Sequence, residues 1–192
     1  MKKTSPITTK TLACCAMLTA LSVVLARLFG LMPEQSSRYS IESAPIFLAG
    51  ILFGPLAGGM VGFCADFVGC LFSAYGYNPI FCIPPILYGV CGGLFRFYLN
   101  KKLTLPRLAA SLLPPVVAGS ILYQSIALAY VYYRATFWEG LALKLSTRSI
   151  QFAIVLVADA LVLWLLFQAN IFRRLGLWPL TTEKKGEHPH DC

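Results

Sequence analysis

A chain of 192 residues with 57% apolar and only 12% charged side chains, and a mean hydropathy of +0.69, has too little polar surface to clothe a water-soluble globule. The net charge of +8 needs no nucleic-acid partner, because cations flanking apolar stretches of membrane-spanning length set topology and meet lipid headgroups. What remains is an all-α integral membrane protein, since only helices and closed barrels satisfy their backbone groups in lipid.

The first apolar segment runs from about Thr11 to Leu31, behind Lys2, Lys3 and Lys10. It stays apolar for roughly 20 residues and has no convincing cleavage site, so it reads as a retained helix and not a secretory signal. Pro45 to Phe53 is too short to cross a bilayer as a helix, and it reads as a short second helix with Pro45 in its first turn and Gly54-Pro55 closing it. Further segments follow at Leu56 to Ala74, Ile80 to Leu99, Leu108 to Tyr133 and Ile150 to Phe172. The expectation is six transmembrane helices over residues 11–173, preceded by a short segment 1–10 and followed by a disordered tail 174–192.

Charge sets the orientation. Lys2, Lys3, Lys10, Arg96, Lys101, Lys102, Arg107, Arg173, Arg174, Lys184 and Lys185, eleven of the 16 Lys and Arg residues, fall on one side if the chain crosses six times. That side is expected to be cytoplasmic, with both termini inside.

Six of the seven cysteines (Cys14, Cys15, Cys64, Cys70, Cys82 and Cys91) lie in apolar segments, and none of the seven repeats a paired ligand spacing. They read as small packing residues. His188 and His190 sit in the polar tail, where a solvated role outweighs metal binding, so neither a metal site nor a cofactor is expected. There is no phosphate-binding glycine loop, no zinc-protease helix and no histidine in the apolar segments to act as a base. If the chain serves transport, its energy comes from an ion gradient or from a partner.

Five basic residues remain on the other side: Arg27, Arg38, Arg134, Lys144 and Arg148. Arginine against the charge rule and near apolar helix ends is costly unless a counter-charge meets it, and its planar fork suits a carboxylate. Arg27, Arg38 and Arg148 together suggest an outward-facing site for an anion; snorkelling to headgroups, or pairing with Glu34, Glu42 or Glu139, is the alternative for each. Aromatic residues gather at the same level, among them Tyr75 and Trp138, where an interfacial belt explains most and stacking on a flat ring a few. Gln124 and Gln151 can read a heterocycle or bond helix to helix. Asp66 and Asp159 are the intramembrane carboxylates, and either can instead bond a neighbouring helix. Asp66 is favoured because Gly58, Gly59, Gly62 and Ala65 before it allow close backbone approach. Ala16 and Ala20 share one helical face and expose backbone for packing against another helix.

Three features resemble the substrate-binding S components of energy-coupling factor (ECF) vitamin transporters. They are the Ala16 to Ala20 pair, the run Ala44-Pro-Ile-Phe-Leu-Ala-Gly-Ile-Leu-Phe-Gly-Pro-Leu-Ala-Gly-Gly-Met-Val-Gly62, and Asp66 four residues on. Arg27, Arg38 and the Arg148 to Gln151 spacing are most similar to the folate-specific branch, from which Tyr39-Ser-Ile-Glu-Ser43 departs by replacing a more glycine-rich, apolar stretch. The resemblance covers about residues 11 to 172 and implies a six-helix, non-enzymatic binding subunit in a bacterial cell membrane. It would capture a vitamin outside, join a transmembrane coupling subunit and two ATPase subunits through the Ala16 and Ala20 face, and topple to release its load. For folate, Arg27, Arg38 and Arg148 would be the cationic contacts, Asp66 and Gln151 polar edge readers, and Tyr75 and Trp138 stacking or lid residues. A flavin, a thiamin precursor or pantothenate would use the same fold. A stand-alone secondary transporter would need an internal repeat that residues 1–96 and 97–192 do not display.

Overall fold

The computed structural model describes residues 9–28, 31–34, 37–39, 41–71, 79–101, 104–132 and 137–169. Helix α1 spans Thr9–Leu28 and leads into an antiparallel ribbon of β1 (Leu31–Glu34) and β2 (Ser37–Tyr39), with Leu31 opposite Tyr39. The sequence pattern leaves this connection irregular, because strands of three and four residues carry too short a period to read.

Helix α2 (Ser43–Phe53) is the expected short element, with Pro45 in its first turn. It is apolar all round and buried from Ser43 to Leu52, which places it at the centre of the bundle. Gly54 ends it at φ 101°, a conformation that a side chain disfavours, and its N–H donates to the Gly50 carbonyl at 2.8 Å. Pro55 then opens α3 (Pro55–Leu71) in the reverse sense.

The α2, α3 and α4 (Ile83–Leu94) helices touch through backbone. A methyl group on Gly58 would lie 2.6 Å from the Gly50 Cα and would collide with the Gly89 carbonyl. One on Gly50 would lie 2.8 Å from the Gly93 N, and one on Gly62 would strike the Pro85 carbonyl. In lipid, where no hydrophobic force drives helices together, such close van der Waals contact is what binds them.

The predicted fourth segment is interrupted: a turn at Phe95 separates α4 from α5 (Arg96–Lys101). The fifth is one rod of three pieces, α6 (Leu105–Pro115), a π-helical stretch (Val116–Tyr123) and α7 (Gln124–Tyr132). Pro114 and Pro115 lack the N–H groups that an α ladder needs, and the wider turns follow directly after them. Helix α8 (Phe137–Gln168) starts well before the expected Ile150, because Leu141, Ala142, Leu143 and Leu145 are good helix formers and no proline interrupts them. Its 32 residues extend for about 48 Å, beyond the roughly 30 Å of a hydrocarbon core.

Thr9–Ala26, Leu105–Tyr130 and Arg148–Gln168 are each long and apolar enough to cross a membrane. The other three apolar elements, Ser43–Phe53, Pro55–Leu71 and Pro79–Leu94, are shorter. The six expected segments are therefore all present as apolar helical elements.

Candidate binding site

Residues at spacings of three and four share one face of a helix. On α8 this selects Arg148, Gln151, Val155 and Asp159, and all four are buried: Arg148 is 5% exposed, Gln151 2% and Asp159 1%. Arg148 is therefore not a snorkelling headgroup contact. Its guanidinium lies over the Phe152 ring, 5.7 Å from the centroid. The helix packs against α2, α6, the π-helical stretch, α7 and the β2 strand that carries Arg38.

The middle of this face meets the start of α2. The Ser43 hydroxyl donates to Oδ2 of Asp159. One residue earlier, the Glu42 carbonyl accepts a bond from the Ser22 hydroxyl of α1 at 2.8 Å. Ser22 stands six residues before the end of α1, about 9 Å along its axis, so α2 begins inside the bundle and not at its rim. The N-terminal dipole of α2 thus sits beside the Asp159 carboxyl group. Opposite, Tyr88 of α4 shares a 3.0 Å hydrogen bond with Ser120 of the π-helical stretch, and Ser125 is fully buried on α7. π-Helical turns often mark functional positions, and here the turn brings a hydroxyl to the interior.

The structure brings Arg148 and Gln151 together and lays the Arg38 strand against their helix. Arg27 lies in the last turn of α1. Asp66 is half-buried on α3, which packs against α1, α2 and α4. Trp138 is 79% exposed at the start of α8, ten residues before Arg148. Tyr75 lies outside the described residues. Ala16 and Ala20 are both exposed on α1. Sequence reasoning ranked Asp159 behind Asp66 and passed over Ser22, Ser43 and Tyr88. The spacing of Arg148, Gln151 and Asp159 on a 3.6-residue period was the available signal.

A helical membrane bundle with a short buried second helix and a buried polar stripe defines a membrane-embedded binding protein. Residues 6–169 match the family model described as ECF-type riboflavin transporter, S component. The chain belongs to this S-component family, whose members are transport subunits and not enzymes, with ATP hydrolysis residing in the partner subunits of ECF transporters. Among solved structures, the chain is similar to the crystal structure of FolT bound with folic acid, at 29% identity and a TM-score of 0.67 over 80% of this chain and 92% of that one. No curated protein matches the chain.

Proposed function

We propose that this chain is the high-affinity binding subunit for folate uptake, held in a bacterial cell membrane with both termini cytoplasmic and working with an ECF module. The observation that carries the reading is Arg148, a nearly fully buried guanidinium one turn from the buried amide of Gln151, in a chain similar to a folate-bound protein. A desolvated guanidinium fork favours a carboxylate ligand strongly, and folate ends in a glutamate with two of them. Arg38 and Arg27, near the ribbon end, would add further positive charge. The exposed Ala16 and Ala20 face of α1 is the surface proposed to meet a transmembrane coupling subunit, which would link it to two ATPase subunits. Lipid covers the remaining apolar faces.

The family description favours a second ligand, riboflavin, which is flat and heterocyclic but carries no carboxylate. Calorimetry on the purified, ligand-stripped chain separates the two. Tight binding of folic acid with weak or no binding of riboflavin is expected, and the reverse result would overturn the folate reading.

A further inference from the structure

The polar stripe on α8 is divided. Arg148 and Gln151 form one end, Phe152 and Val155 supply an apolar middle, and Asp159 forms the other end. Arg148 and Asp159 are eleven residues apart, about 16 Å along the helix. That order of charge suits a ligand with an anionic end, an aromatic spacer and an end rich in N–H donors.

Asp159 is a buried carboxyl group on this face that the described residues satisfy only in part. Oδ2 accepts the Ser43 hydroxyl, but Oδ1 is buried with no hydrogen-bond partner among the described residues. A buried carboxylate oxygen without a donor carries an unrepaid desolvation cost, so a purely structural tie between α8 and α2 leaves this atom unexplained. Its orientation is fixed from three sides: by the Ser43 hydroxyl, by the N-terminus of α2, and by the Ser22 bond that holds that N-terminus to α1.

We propose that Asp159 is the specificity-determining residue of the site. Held by Ser43, it accepts paired N–H bonds from the 2-amino-pyrimidine edge of a fused heterocycle, while Arg148 holds the carboxylate end of the same molecule. The inference rests on the folate reading above and deepens it by fixing which end of the ligand lies where. A carboxylate has about four lone-pair sites, so the Ser43 bond leaves room for two parallel bonds from an amidine-like edge. Phe152 and Val155 then flank the aromatic spacer.

The test uses the full chain in detergent, stripped of endogenous ligand, and three probes: folic acid, 2-desamino folic acid, and p-aminobenzoyl glutamate, which lacks the heterocycle. The wild-type chain is expected to bind folic acid at least about tenfold more tightly than the 2-desamino analogue, because losing that donor leaves Oδ1 unmet. Asp159→Asn is expected to weaken folic acid by about tenfold to a hundredfold, to erase its advantage over the 2-desamino analogue, and to leave p-aminobenzoyl glutamate within about twofold. Ser43→Ala keeps the carboxylate but releases it, and a loss of about threefold to tenfold is expected. Equal wild-type affinity for folic acid and its 2-desamino analogue would overturn the assignment, even if Asp159→Asn fails to fold. So would an Asp159→Asn chain that retains the discrimination. A wild-type chain that binds no folic acid overturns instead the functional reading beneath it.

Discussion

The α2, α3 and α4 cluster and the α8 face solve opposite problems of packing in lipid. In the first, glycines at positions 50, 58, 62, 89, 92 and 93 remove side chains so that backbone meets backbone. In the second, a long helix carries Arg148, Gln151 and Asp159 inward, where each must be met by a partner. The first region gains rigidity because nothing there can adjust. The second holds desolvated polar groups in fixed positions, which suits them to the recognition proposed above. Helix α2 belongs to both: one side abuts the glycine faces of α3 and α4, and its start receives Asp159. A stiff cluster thereby holds the polar face of α8 in place.

Substitutions can separate the two. Gly89→Leu places a side chain into the Gly58 carbonyl, and a destabilisation above about 3 kcal/mol is expected, read as loss of the monodisperse peak after membrane extraction. Arg148→Ala leaves the cluster untouched and is expected to weaken folic acid by about 2–3 kcal/mol, or roughly thirtyfold to 150-fold, by calorimetry. Its ligand-free melting temperature should change far less than that of the glycine variant. Gln151→Ala removes a neutral partner, and a loss of about 1 kcal/mol, or roughly fivefold, is expected in the same measurement. Ala16→Leu, on the exposed face of α1, is expected to leave vitamin affinity unchanged while reducing co-purification with the coupling subunit. If Ala16→Leu weakened the vitamin and spared assembly, the division of labour drawn here would fail.

Local chemistry made one part of the fold readable from residues alone. Pro45 marks the first turn of α2 and Gly54-Pro55 its end because each acts on its own backbone dihedrals, and the helix runs from Ser43 to Phe53 accordingly. Arg148 and Gln151 were readable because a cation and an amide in an apolar run are costly unless used. The π-helical stretch was not readable, since Pro114 and Pro115 announce a break without stating how the chain resolves it. Nor was the early start of α8, where a connecting stretch of ordinary helix formers extends an apolar helix. The Ser43 to Asp159 bond joins residues 116 apart in sequence, and no local pattern reports such a pairing. A serine at the start of a helix reads first as a cap, and here its hydroxyl turns to another helix.

The wide turns between Val116 and Tyr123 carry a consequence for how this chain aligns with others. A π-helical stretch is an α-helix lodging a surplus residue. Deleting one residue there would restore ordinary pitch and leave everything beyond it in its present phase, with Ser125 still turned to the interior, because the wide turns absorb the surplus residue instead of passing on a rotation of about 100°. Relatives one residue shorter at this place would therefore turn the same α7 positions inward, and the gap in their alignment belongs inside the rod, not in a flanking loop.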